Sequence, residues 1–446
     1  MKNKIILTLL LFASLMQAQE QKESYSFSLK QAIEHAVQNN YSVINANRDI
    51  EAAKQKKWET TTIGLPQING TVGYQNNFEL QKSLIPAEIF GGPAGTFQEV
   101  AFGTKHSMNA TATLSQLIFD GSYLVGLQSA KTYLKISENA KIKTTQEIKE
   151  IVINSYGNVL LADESILILK KNKGILEKTL SDTKEIYKNG LIEEENVEQL
   201  QITLASINSS LENVKRQKTI ANDMLKLILG INLENELTLT DKLNVLAQNN
   251  VDLAILKEEF SASNNIDYQI GQNLQTSKEL LLKLEKSKAL PSLGANVNFG
   301  YNAFGDQFQF FSNNQKWFNY SNLGINLNIP IFSSFGRSSR TQQAKIALEQ
   351  SKTQLTETEQ KLKLQFEKAK SDYEFSLEQL TTSKSNLNLA ERIENKNQIK
   401  FTEGLSSSFD LTKAQEQLYA AQQNYLQAML DVINKRATLE KLFNKN

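Results

Sequence analysis

The chain contains no cysteine, and only five prolines, two histidines and two tryptophans in 446 residues. Without a thiol there is no disulfide, no thiolate metal site and no acylated N-terminal cysteine to serve as a lipid anchor. Two histidines make a poor metal centre. His35 is expected on a helix among apolar neighbours and His106 in a loop, which gives neither a catalytic setting. No Gly-rich loop followed by Lys and Ser or Thr is present to cradle a nucleotide phosphate, so energy for any transport would come from a partner. The sequence therefore points to no enzyme and no cofactor. An excess of one charge sign is missing too: 49 basic and 48 acidic residues leave a formal net charge of +1, which argues against a nucleic-acid partner.

Long apolar runs are also scarce. Met1-Lys2-Asn3-Lys4 followed by the apolar stretch Ile5 to Met16 reads as a cleaved secretory signal over residues 1–18, cut after Ala18. Beyond it, no run approaches the roughly 20 apolar residues that a spanning helix needs. A chain that crosses a bilayer without such a helix must cross it as strands.

Four stretches have the pattern that strands require. From Asn322 to Ile329 apolar and polar residues alternate without a break, which places Leu323, Ile325, Leu327 and Ile329 on one face. The same holds for Gln67 to Gln75 with Ile68, Val72 and Tyr74, and for Met108 to Ser115 with Met108, Ala110, Ala112 and Leu114. It holds again for Ser292 to Asn302, with Leu293, Ala295, Val297, Phe299 and Tyr301. The opposite faces are rich in Asn, Thr and Gly and almost free of charge. Apolar on one side and uncharged polar on the other is what a transmembrane barrel needs, with lipid outside and water inside.

The rest reads as helix, and the chain reads as one unit written twice. Ser28 with Gln31 has the spacing of a capping box, opening a helix expected to run to about Thr62. Leu65-Pro66 then leads into a β-hairpin over 66–120, with a long rim loop from Phe78 to His106. Helices follow from about Ser122 to Lys188 and from Glu193 to Leu229, with the turn between them at Gly190-Leu191. A helix of ~65 residues would be ~100 Å long. The return helix carries a heptad of Leu200, Leu204, Ile207, Leu211, Val214, Ala221, Leu225 and Ile228, broken at Lys218. Residues 19–230 thus form a first repeat and 231–250 a connecting segment. Residues 251–446 form a second repeat: a helix from Val251 to Leu290, Leu290-Pro291, a hairpin over 291–333, a helix from about Ser338 to Thr402, and a tip at Gly404-Leu405. Its return helix carries Leu411, Ala414, Leu418, Ala421, Tyr425, Ala428, Val432, Leu439 and Leu442.

Four strands cannot enclose an aqueous lumen, and an open sheet edge cannot rest in lipid. Three copies would supply twelve strands. The fold class expected is therefore a membrane α+β protein, each protomer giving four strands to a 12-stranded trimeric barrel that long coiled-coil helices continue.

At this point the chain resembles the TolC-like outer-membrane efflux (outer membrane factor) family. The resemblance rests on the two Leu-Pro approaches to the strands, the Gln116-Leu117-Ile118-Phe119-Asp120-Gly121 exit, the Gly-Leu tips and the Ser28 to Ala36 helix start, and it covers nearly the whole mature chain. It implies a homotrimer in the outer membrane of a Gram-negative envelope, reaching into the periplasm and meeting a periplasmic adaptor (membrane fusion protein) and an inner-membrane pump, for efflux or type I secretion. It also implies that Gly190, Leu191, Gly404 and Leu405 dock the adaptor's hairpins; as plain helix-hairpin turns, the same residues need no partner. Asp182 with Glu185, and Glu391 with Glu394, are spaced to share a helix face, and threefold symmetry would make of them a carboxylate ring at the periplasmic mouth. The alternative for these four is a solvated helix surface. Trp317, Phe318 and Tyr320 are expected in an aromatic belt at the lipid interface. The competing reading of the whole chain is a periplasmic coiled-coil adaptor or scaffold without a channel. The barrel reading predicts that the purified protein stays dispersed only in detergent and runs as a heat-sensitive trimer; a monodisperse monomer in plain buffer would overturn it.

Overall fold

A computed structural model describes residues 23–444, so the expected signal over residues 1–18 lies outside the described residues. The chain divides into two compact units. One comprises the residues up to Asp49, Ser137–Gln272 and the residues from Gln354; the other comprises Ile50–Ile136 and Asn273–Thr353. Each repeat contributes to both.

The second unit is built on a four-stranded antiparallel sheet in the order β2-β5-β7-β8. Its strands are β2 (Gln67–Asn76), β5 (His106–Asp120), β7 (Ser292–Gly305) and β8 (Trp317–Asn328). The register lines up the apolar positions of all four. Ile68 faces Leu114, which faces Val297, which faces Leu323. Val72, Ala110 and Tyr301 form another row, and Leu293 with Leu327 and Ala295 with Ile325 continue the surface. This face is bare. Exposure reaches 76% for Ile68, 74% for Val72 and 68% for Leu323 on the outer strands, against 37% for Leu114 and 43% for Val297 within the sheet.

The opposite face is a hydrogen-bonded polar ladder. Thr113 Oγ1 donates to Asn298 Oδ1 at 2.7 Å, Asn298 Nδ2 to Asn322 Oδ1 at 2.8 Å, and Asn326 Nδ2 to Asn296 Oδ1 at 3.0 Å. Tyr320 belongs to this side: its hydroxyl meets Thr111 Oγ1 at 2.8 Å and its ring lies over Gly300, where an added Cβ would come within 2.7 Å of it. Phe318 has the same parity, and the Lys316 ammonium stands 5.1 Å from its ring centre. The three-residue belt expected of Trp317, Phe318 and Tyr320 is therefore corrected. Only Trp317 shares the apolar face, because successive strand residues point to opposite sides. Its companions there are Tyr74, Phe308 and Phe310, whose rings meet edge to face.

The long loop after β2 is not bare loop. It folds into a small hairpin of β3 (Lys82–Pro86) and β4 (Phe97–Ala101).

In the first unit, β1 (Ser24–Phe27) pairs in parallel with β6 (Glu236–Leu239). The capping box forms as expected, Ser28 Oγ accepting from Gln31 N while Gln31 Oε1 accepts from Ser28 N. The single helix expected after it is two: α1 (Leu29–Asn39) and α2 (Tyr41–Thr62). Asn40 makes the break, because its Oδ1 caps Ser42 N at 2.8 Å while its Nδ2 reaches Ile228 O at 2.7 Å. The long helices are α3 (Gly121–Lys188) and α4 (Glu194–Leu229), then after the short α5 (Leu243–Asn249) come α6 (Ile266–Ser287), α7 (Gly336–Thr402) and α8 (Ser408–Leu442). The helix expected from Val251 begins only at Ile266; before it run two single 3-10 turns, and Asn265 Oδ1 caps Asp267 N at 2.9 Å. Ser, Asn and Asp side chains there compete for the backbone and delay the helix.

The heptads are the core. Leu200, Ile207, Leu211 and Leu225 of α4 are buried, as are Leu411, Ala414, Leu418, Ala428, Val432 and Leu439 of α8, each buried leucine contributing on the order of 2 kcal/mol. Lys218, the break in the first heptad, pairs with Asp163 of α3 at 2.5 Å. Helix α3 is long and apolar enough to cross a membrane by length and composition, but Val152, Tyr156, Val159 and Leu160 of that helix lie in the bundle core. Two fully buried tyrosines occupy matching places in the repeats. The Tyr156 hydroxyl bonds Phe27 O and Asp241 Oδ2, both at 3.0 Å, and Tyr373 donates to Asn250 O at 2.6 Å while accepting from Asp252 N at 2.9 Å. Burial raises both phenols above the ordinary range, so they remain neutral donors.

Gly230 ends α4 at φ +76°, and a Cβ there would collide with the backbone carbonyl of Asn39. Gly230→Ala should therefore destabilise the fold by about 1–3 kcal/mol, read as a lower thermal midpoint. Gly174→Ala, within α3 with open space around it, should leave that midpoint unchanged or raise it.

Candidate functional site: the hairpin tips

The two tips are built alike. Gly190 (φ +70°) donates to Tyr187 O at 2.8 Å and Leu191 N to Ile186 O at 3.3 Å. Gly404 (φ +73°) donates to Phe401 O at 3.1 Å and Leu405 N to Lys400 O at 2.8 Å. Both are Schellman motifs, in which a left-handed glycine lets two backbone amides satisfy the last helical carbonyls. The same motif closes α4, where Gly230 donates to Leu227 O and Ile231 N to Lys226 O.

The three differ in the residue that follows glycine. Ile231 is 4% exposed, whereas Leu191 is 74% and Leu405 78% exposed. The usual hydrophobic contact of this position is made at Gly230 and withheld at both tips. Tyr187 and Phe409 add further exposed apolar surface nearby.

A cross-connection absent from the sequence reading joins the two return helices. Ser408 N, in the first turn of α8, donates to Asn196 Oδ1 in the first turn of α4 at 3.1 Å. Asn196 reads in sequence as one more polar residue of a helix start, and nothing local marks its partner 212 residues away. α8 begins with its own capping box, Ser407 with Asp410, and those hydrogen bonds hold the Asp410 carboxyl below its usual range. Further up, Asn172 Nδ2 donates to Gln422 Oε1 at 2.8 Å and Gln398 Nε2 to Thr179 Oγ1 at 3.4 Å. The helices around the tips thus meet through polar pairs as well as through leucine.

The four carboxylates fall in different settings. Asp182 and Glu185 are exposed, and Glu185 holds Lys188 at 2.5 Å. Glu391 is exposed, while Glu394, one turn on, is half-buried beside Gln415 and Tyr419 of α8. Burial raises the Glu394 carboxyl above its ordinary range, and the Gln415 amide and Lys171 ammonium pull the other way. Equal spacing did not give equal surroundings, because α8 covers only one edge of the face they share. Between α7 and α8 lies an open groove of about 860 Å³ lined by Phe375, Leu389, Ile393, Ala420 and Ala421 among others.

His35 packs its ring against Tyr25 and Phe27, and burial lowers its pKa. It is a packing residue.

The chain's likeness to known proteins agrees with this architecture. The sequence model of the outer membrane efflux protein family matches residues 32–231 and 279–445. Outer membrane protein TolC of Vibrio cholerae is 21% identical over 322 residues, covering 72% of this chain and 68% of its own length. Among solved structures, CusC superposes with a TM-score of 0.76 at 16% identity, covering 96% of this chain and 94% of its own. VceC of Vibrio cholerae superposes at 0.71 with 15% identity, covering 93% and 96%. The open-state outer membrane channel MtrE of Neisseria gonorrhoeae superposes at 0.70 with 15% identity, covering 93% and 88%. With matched segments that span both repeats, the chain belongs to the outer membrane efflux protein family.

Proposed function

We propose that three copies of this chain form the passive outer-membrane duct of a tripartite export machine, whose periplasmic mouth is gated and docks an adaptor coupled to an inner-membrane pump. The observation that carries the reading is the four-stranded sheet. One face is apolar and bare, the other is an uncharged Asn/Thr ladder, and among the described residues each outer strand lacks a partner on its outer edge, which is the chemistry of a barrel wall between lipid and water. A coiled-coil scaffold has no use for such a sheet.

The tips supply the docking surface. Burying a leucine is favourable by roughly 2 kcal/mol, so exposed leucines at both tips, in a motif that elsewhere in the chain buries its apolar residue, suit a partner that covers them. Gly190, Leu191, Gly404 and Leu405 form that surface. Asp182, Glu185 and Glu391 contribute negative charge to the mouth. Glu394 is set apart from them as a packing carboxylate between α7 and α8. Cargo selection is left to the pump, since a wide polar duct discriminates weakly.

Gly404→Arg with Leu405→Glu should abolish efflux in cells, read as lost resistance to exported compounds, while heat-sensitive trimers persist in the membrane. Retained efflux would remove the tips from docking. Glu391→Gln should lower cation preference in planar bilayers, and unchanged selectivity would take Glu391 out of the mouth. Glu394 works in the opposite sense: its folded pKa is raised, so its effect on stability is unfavourable above the unfolded carboxylate range and fades as pH falls through the folded pKa. Glu394→Gln should raise the thermal midpoint at neutral pH and flatten its dependence on acid; an unaltered pH profile would show the carboxyl to be solvated.

A further inference from the structure

The loop end of the polar face carries aromatic rings that a wall of water and amides does not require. We infer that Tyr320 and Phe318, with the amides around them, form a weak binding site inside the barrel for neutral, polyhydroxylated molecules of the oligosaccharide kind. The inference rests on the trimeric barrel reading, which makes this face the wall of the lumen, and adds to it a ligand class and the residues that meet it.

The register sets the site out in rows. Thr71, Thr111, Gly300 and Tyr320 lie side by side across the four strands. Gly300 leaves the wall without a side chain, and the Tyr320 ring fills that gap, its Cε1 and Cζ lying 2.7 and 2.8 Å from where a Cβ would stand. Its hydroxyl meets Thr111 Oγ1 on the far side of β7 at 2.8 Å. Fixed at both ends, the ring lies across the sheet instead of standing up from it. Gly300 is buried beneath it, while Tyr320 is half-buried, with one side on the wall and the other open to the lumen.

Covering a strand glycine with a neighbouring aromatic ring stabilises a sheet by itself. That accounts for Tyr320 over Gly300 and leaves the next rings unexplained. Phe318 stands one row nearer the loops, opposite Asn302, and Phe304 one row further, with ring centroids 6.2 Å apart. They are 48% and 49% exposed on the wet face. Two residues along a strand span ~7 Å, so Phe304, Phe318 and Tyr320 make a stepped line of rings that leads from the rim into the lumen. Apolar rings bared to water gain free energy when something covers them.

The surroundings name the occupant. The row of Tyr320 and the rows on either side of it contain no Asp, Glu, Lys, Arg or His, so nothing there holds a ligand by its charge. Amides flank the ring instead, Asn302 in the row above and Asn298 and Asn322 in the row below. Asn322 Oδ1 accepts from Asn298, which leaves its Nδ2 free to donate, and the Asn302 amide bonds nothing among the described residues. A pyranose has apolar C–H faces and a rim of hydroxyls. Stacked on Tyr320 or Phe318 it would cover a ring with its C–H face while its hydroxyls reach the amides, which both donate and accept. An organic cation would find no carboxylate in these rows, and the Lys316 ammonium, 5.1 Å from the Phe318 ring centre, would repel it. The site is a resting place within the duct, and the choice of cargo stays with the pump.

Trimers purified in a sugar-free detergent, lauryldimethylamine oxide, are titrated with maltohexaose, and binding is read by saturation transfer to the sugar protons. The parent should bind in the millimolar range, Tyr320→Phe within about twofold of it, Phe318→Ala about threefold more weakly and Tyr320→Ala about tenfold more weakly. Should Tyr320→Ala fail to assemble, Phe318→Ala, which removes no hydrogen bond, decides in its place. No transfer from the parent trimer, or equal transfer from every variant, overturns the site and leaves the duct standing. Tetraethylammonium bound in a Tyr320-dependent way by trimers that ignore maltohexaose overturns it too, in favour of cations. A protein that is monomeric in the same detergent removes lumen and site together.

Discussion

Hydrocarbon offers a backbone amide nothing to bond with, and the sheet of this protein is shaped by that fact. Its inner strands satisfy one another along an almost unbroken register, interrupted by one irregularity between Leu117 and Phe119. Its outer strands, β2 and β8, each carry one row of amides and carbonyls with no strand partner among the described residues. Charges on the exposed edge, a frequent protection of soluble proteins against edge pairing, are missing here: β2 and β8 contain no Asp, Glu, Lys or Arg. The edges are made to be joined, and the bare apolar face says in which solvent.

Duplication runs through both units of the chain. Each repeat supplies a hairpin to the sheet and a pair of long helices, and the first helix of each pair, α3 or α7, carries one buried tyrosine whose hydroxyl holds a connecting segment, Tyr156 at Asp241 and Tyr373 at Asn250 and Asp252. Each pair turns at a Schellman glycine followed by an exposed leucine. The symmetry is broken where function can use it. α8 opens with a full capping box, whereas the Glu193 side chain makes no capping bond at the start of α4. A single hydrogen bond from Ser408 to Asn196 couples the two starts. Polar contacts of this kind are worth roughly 1 kcal/mol each.

Sequence alone determined what depends on neighbours along the chain. Alternation over Ile68 to Tyr74 and Leu323 to Leu327 fixed strands and their two faces, heptads fixed the rods, and the spacing of Ser28 and Gln31 fixed a helix start, because period, capping and turn chemistry act within a few residues. Only the tertiary structure decided what depends on distant ones. Asn40 breaks a helix since Ile228 lies within its reach, Glu394 is sheltered while Glu391 is not because α8 lies over one of them, and Ile231 is covered where Leu191 and Leu405 stand bare. Burial belongs to the packing of segments hundreds of residues apart, and no local pattern carries it.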